Sequence, residues 1–260
     1  MPHATASSRP LQLRVHGWRP LGGIARVAHA ELVGPYGFSR EVSLSVLTPV
    51  GSRAGLRAER AAIARAASAH QHAVLQPVFE VLATTLGDVV LAATLEGPSL
   101  DALLASTSIP RSAAYAIVMD LADAAAYLAE RGADMVAIEP SDVVLTPDGR
   151  VRLVHPALLH AIAGRPFART EEVGASIVAL LRELLVSSGV AAPERALRAV
   201  LGAAPSPARL HARLAGHLFA KRCAYERRGI AALVREHARR EAGETRVERR
   251  SPRTLLAWSA

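Results

Sequence analysis

The tightest constraint on this chain is a change of hydrophobic period at Glu96-Gly97-Pro98. Before it, apolar residues tend to recur at every second position, the spacing of a half-buried strand. "LQLRVHGW", "IARVAHAELV" and "REVSLSVL" alternate in this way, and "GPYG" between the last two is a turn. They predict three antiparallel strands. "GLRAERAAIARAASAH" then sets Leu56, Ala61, Ile63, Ala64 and Ala67 at helical spacing. "AVLQPVFEVLAT" and "DVVLAATLEG" read as two further strands. The expectation is a five-stranded sheet with one helix inserted after its third strand.

After Pro98 the period is helical. Ser99 stands as the N-cap of a short helix. "SIPRSAAYAIVMDLADAAAYLAERG" predicts a long amphipathic helix stopped by Gly132. Two apolar stretches around "TPDG" predict a β-hairpin. "RTEEVGASIVALLRELLVSSG" predicts a second long helix, apolar enough to be largely buried. Three more helices are expected at about 192–203, 206–220 and 226–240. The fold class is therefore α+β and bilobal. A small antiparallel β lobe spans 11–96, a larger mainly α-helical lobe spans 97–240, and a loosely ordered tail spans 241–260. Clefts between such halves are where ligands sit.

Composition removes several function classes. Cys223 is the only cysteine, so no disulfide closes within the chain and no cysteine zinc cluster forms. The first ten residues lack the apolar core of a signal peptide. "VGASIVALLRELLVSSGVAA" carries Arg182 and Glu183 at its middle, which argues for a buried helix and against a membrane span. A cytoplasmic protein with no membrane partner is expected. The net charge of +8 permits an acidic partner, but a solvated arginine-rich surface is its ordinary meaning. Nearly all of that charge is arginine: Lys221 is the only lysine.

The order and spacing of these blocks resemble a bacterial serine/threonine protein kinase domain over roughly residues 11–190, and more weakly to about 240. "RPLGGIARVAHAELVG" is similar to the glycine-rich loop and second strand. "REVSLSVL" resembles the third strand, and "AERAAIARAASAHQHAVLQP" the following helix and fourth strand. "VVLAATLEGPSLDALL" resembles the hinge. "AAAYLAERGADMVAIEPSDVVLTPDGRVRLVHPAL" resembles the catalytic and metal-binding loops.

Set against that resemblance, the charged chemistry is gone. The position of the family's phosphate-binding lysine is Ser45, and no nearby lysine replaces it. Glu59 matches the helix glutamate that pairs with that lysine, although its spacing to His70 is about two residues long. His-Arg-Asp of the catalytic loop becomes Met135, Val136 and Ala137, and an alanine accepts no proton. Glu139 stands where many members have a lysine. Asp142 replaces the asparagine that binds the second metal ion; it is able to meet magnesium, but a capping or turn role is expected. Asp-Phe-Gly becomes His155-Pro156-Ala157, a poor magnesium ligand followed by a stiff loop. In the glycine-rich loop the three glycine positions read Pro20, Gly22 and Ala25, with Gly23 alongside, so an ordinary hairpin turn is expected. Only about fifteen residues separate His155 from the helix near Thr170. No Ala-Pro-Glu lies in that interval, and Glu171, Glu172 and Val173 stand near the place of that helix's buried aspartate.

Other constellations carry less. His70 and His72 form an H-x-H without further ligands at useful spacing, and His155 with His160 is no better. No nucleophile elbow surrounds Ser45. The C-terminal helices mix both charge signs and have few aromatics, which weakens nucleic-acid binding. The resemblance with its losses implies a non-enzymatic pseudokinase. Such a scaffold or regulatory protein binds another protein, an active kinase or its substrate, with weak or absent ATP binding and no cofactor. Two alternatives stay open at this point. One is a degenerate kinase or nucleotide-binding pseudokinase using Asp142 and Glu59. The other is a basic nucleic-acid-binding adaptor.

Overall fold

Alternation in the first part of the chain produces one antiparallel sheet. The computed structural model describes residues 12–21, 25–33, 38–47, 54–84, 87–191, 206–220 and 227–248. Strands β1 (Gln12–Leu21), β2 (Ala25–Val33), β3 (Ser39–Leu47), β4 (Val78–Thr84) and β5 (Gly87–Ala93) pair in the order β1-β2-β3-β5-β4. β3 lies at the centre, with Ser45 opposite Val27 on one side and Val90 on the other. Its even-numbered residues Val42, Leu44 and Val46 join Ala28, Ala30, Val89 and Leu91 in one buried layer. Leu47 turns to the other face, against helix α1 (Ala54–Ala67) through Ala61, Ala64 and Ala67.

The larger lobe is built around α3 (Arg111–Glu130). Alanines on several of its faces let neighbours approach closely, and Ile117, Leu121 and Leu128 are buried. Each such side chain contributes about 1.5–3 kcal/mol of burial. α3 is long and apolar enough to cross a membrane, but 67% of its most apolar window is buried inside the lobe. The helix ends where Gly132 takes a φ of +62°. Around it stand α2 (Leu100–Ser106), α5 (Thr170–Ser187), α6 (Pro207–Ala220) and α7 (Arg227–Glu248). The hairpin around "TPDG" is β6 (Val143–Leu145) paired with β7 (Val151–Leu153). Thr146 closes its turn by accepting the Arg150 N–H on its hydroxyl at 3.0 Å.

Two stitches hold the lobes together beside the site. Leu153 of β7 donates to the Val74 carbonyl at 2.8 Å, and its own carbonyl accepts from the Gln76 N–H at 2.8 Å. At the lobe junction Gly97 has a φ of +129°, and a Cβ built there would run into the Leu145 carbonyl oxygen. Only glycine fits that approach.

Three expectations change. Ser99 does precede α2, but its side chain makes no capping bond; its backbone bridges Val144 of β6 instead. The last helix does not stop at 240 but runs to Glu248, because no proline intervenes and pairs such as Glu236–Arg240 at 3.2 Å support it. An eight-residue helix, α4 (Pro156–Ala163), stands where a loop was expected. The helix expected at 192–203 lies outside the described residues.

Candidate functional site

The cleft between the lobes is walled by the sheet above, the β6–β7 hairpin below and α4 behind. Its volume is about 220 Å³, and Ser43, Ser45, Ala92, Thr94, Val144 and Leu158 are among its lining residues. Ser45 is 7% exposed. No lysine or arginine lines this cleft among the described residues. A triphosphate would find a hydroxyl and hydrocarbon where it needs a cation.

The local sequence explains α4. His155 is its N-cap: the ring Nδ1 accepts the Ala157 N–H at 3.2 Å. Pro156 sits at the first helical position, where a missing N–H costs nothing. Gly164, with φ +70°, ends the helix. Leu158 and Ile162, four residues apart, both pack into the cluster of Leu47, Ala61, Ala64, Val78 and Val81. The segment matched to a metal-binding loop therefore serves as an apolar strut from the larger lobe onto the sheet and α1 of the β lobe.

Below α4 lies the segment Met135–Asp142. Met135 is buried, and its carbonyl accepts the Ala168 N–H at 2.7 Å. Asp142 is also buried, with a side chain only 5% exposed. Its Oδ2 accepts the Glu139 N–H at 2.8 Å, the capping bond of the turn Pro140–Asp142. Both of its oxygens accept from Arg165 Nη1, at 2.7 and 2.6 Å. The other arm of the same guanidinium donates to the Ala137 carbonyl and lies 3.0 Å from Glu139 Oε1. Arg165 thus gathers three of the positions matched to the catalytic loop around its own charge. Sequence reasoning missed this residue because it looked for lysine. The available signal was the acid itself: a carboxylate in an apolar segment needs a partner.

His155 is 1% exposed and stacked on His70, with ring centroids 5.7 Å apart. Burial, and next the neighbouring His70, push its pKa down to about 4, so the ring is neutral near pH 7. Two nearby histidines are engaged. His72 pairs with Asp123 at 3.2 Å and accepts the Val74 N–H. His160 lies 2.7 Å from the Arg165 carbonyl and stacks on Phe167 at 3.9 Å.

The remaining matched residues do not converge here. Glu59 is exposed on α1, whereas Ser45 is buried on β3. Ala25 opens β2, paired with Leu21 and Leu47. Gly22 and Gly23 lie outside the described residues. The magnesium ions that the kinase resemblance implies do not fit this donor set. Asp142 is occupied by a guanidinium and His155 offers a buried imidazole, and among the described residues no three His, Cys, Asp or Glu side chains gather as ligands.

No protein-family model and no curated protein matches the chain by sequence. Among solved structures it is similar to the crystal structure of the PknI kinase domain of Mycobacterium tuberculosis. The TM-score is 0.53 at 17% identity, covering 90% of this chain and 99% of that one. Such a likeness speaks to architecture, and the two-lobed arrangement built up above is the same one: this chain has a protein-kinase-like fold.

Proposed function

We propose that the protein is a pseudokinase, a kinase-like scaffold or regulatory protein that binds another protein and transfers no phosphate. The observation that carries the reading is the Arg165 plug. Phosphoryl transfer needs a carboxylate to orient the acceptor hydroxyl, oxygen ligands to hold magnesium and a cation on the phosphates. Here the first position is Ala137, whose carbonyl is held by Arg165. The acid left at a metal position, Asp142, has both oxygens on the same guanidinium. The cation position is Ser45. α4 adds a steric argument, since its leucines line the cleft where it would have to widen for nucleotide.

Without that chemistry, what the fold offers is surface. The partner is another protein, an active kinase or the substrate of one. The reading is tested with the purified chain, ATP and magnesium. Millimolar ATP, with or without magnesium, should leave the melting temperature unchanged, because only a ligand that binds the folded state raises it. Incubation with γ-labelled ATP and a generic protein substrate should transfer no label. A magnesium-dependent rise in melting temperature, or labelled substrate that disappears on Asp142→Asn, refutes it.

A further inference from the structure

We propose that a cavity beneath α1, outside the interlobe cleft, is a binding site for a small carboxylic acid with an apolar body. The cavity has a volume of about 240 Å³, and its lining includes Ala66, Ala67, His70, Arg131, His155 and Phe167. The site is independent of the nucleotide reading above and stands or falls separately.

The argument starts from a proton. His155 Nδ1 accepts the Ala157 N–H, so in the neutral ring the proton sits on Nε2. That Nε2 is buried and has no hydrogen-bond partner. A buried donor left unmade is rare and costly in a folded protein. His70 Nδ1, on the ring stacked against it, is likewise buried and unpartnered. Both residues line the same cavity, so an unused donor and a second unused ring nitrogen lie buried in its wall, where a small shift of the rings would bring them to a ligand.

Charge then selects the ligand. Arg131 lies at the exposed rim, its guanidinium 3.7 Å from the centre of the Tyr127 ring and donating to the Tyr127 carbonyl. A guanidinium has five N–H donors, so these contacts leave donors for a ligand. Its field already reaches inward, since after burial it is the cause that lowers the pKa of His70. Asp134 is the acidic residue on this lining, and it is exposed. The side walls are hydrocarbon and one aromatic ring: Ile63, Ala66, Ala67, Ala157 and Phe167. An acceptor anion against His155, screened by Arg131 and carried on a flat apolar body, matches each of these features. The size limits that body to a single ring or short chain, because drug-sized ligands occupy roughly 300–1,000 Å³.

The test titrates the full chain, ¹⁵N-labelled at histidine, with sodium benzoate, benzamide and toluene. The His155 ring signal is identified by its loss in His155→Asn. Benzoate should shift it and should bind about tenfold tighter than benzamide, the margin of a charge-assisted contact. Arg131→Gln should bring benzoate and benzamide level. Ala66→Leu, at an exposed helical position on the rim, should fill the cavity and remove binding of both while the circular dichroism spectrum is retained. The proposal is overturned if benzoate up to about 10 mM leaves the His155 signal unmoved, a limit set by the weakness of millimolar binding. It is equally overturned if benzoate, benzamide and toluene bind alike, or if Ala66→Leu binds benzoate as the parent chain does.

Discussion

Replacing Arg165 with methionine keeps most of the side-chain length and removes the charge. Asp142 would then be a buried carboxylate holding one backbone N–H bond from Glu139, in place of that bond and two from the guanidinium. Breaking a buried pair by deleting one partner costs about 3–5 kcal/mol, mostly the desolvation of the charge left behind. The contact to Glu139 adds little, because that carboxylate is 60% exposed and its interaction is screened. The loss at Ala137 is one hydrogen bond to a carbonyl, worth about 1 kcal/mol. A lower bound of about 3 kcal/mol is therefore expected, or at least about 1 M in the urea midpoint followed by circular dichroism. The double variant Arg165→Met with Asp142→Asn separates the pair from its surroundings. Asparagine keeps an oxygen for the Glu139 N–H and leaves no charge unpaired. It should recover about 2 kcal/mol or more relative to Arg165→Met alone, the coupling expected of residues in direct contact. If Arg165→Met costs less than about 1 kcal/mol, or if the two substitutions simply add, the guanidinium is not what satisfies Asp142 and the plug is only a surface contact.

Three further perturbations test other parts of the structure. The folded pKa of His155 is lowered to about 4, so the unfolded chain binds the extra proton first on acidification. Stability from this group is complete above about pH 6.5 and falls by about 3 kcal/mol as the pH drops to 4, and His155→Asn should flatten urea midpoints across that window. Leu158→Ala should cost about 2 kcal/mol in the same assay, the low end for a buried leucine because the side chain borders a cleft able to relax. Gly97→Ala should cost about 1–3 kcal/mol, since its φ of +129° and the nearby Leu145 carbonyl both exclude a Cβ, and an unchanged melting temperature would refute that close approach.

How much of this was readable from the sequence depends on how locally each feature is specified. The sheet was readable because alternation is a property of adjacent residues: Val42, Leu44 and Val46 share a face whatever lies around them. α3 and α5 were readable for the same reason, through apolar runs too long to be strands. α4 was not, although His155-Pro156 at its start and Gly164 at its end are ordinary boundary signals. At eight residues it cannot hold itself as a helix, and its stability comes from packing Leu158 and Ile162 on a β lobe whose residues lie up to about a hundred positions away. The resemblance also masked it, because the family's pattern at that place is a loop.

The site divides along the same line. Each loss was visible one residue at a time, because a serine or an alanine lacks a charge in any surroundings. What fills the space left behind was not visible, because Arg165 stands 23 positions from Asp142 and nothing local joins them. Buried acids supply a general remedy: each one found in an apolar stretch sends the search for its countercharge along the whole chain, with arginine considered alongside lysine. In this chain, with a single lysine, that search leads among the arginines, and it distinguishes a cleft that merely lacks charges from one whose charges are paired with each other. A site that has only lost charges keeps a vacant cleft, and nucleotide could return with a few substitutions. The present arrangement is of the second kind, because Ala137→Asp would set a third carboxylate beside a guanidinium already shared by Glu139 and Asp142.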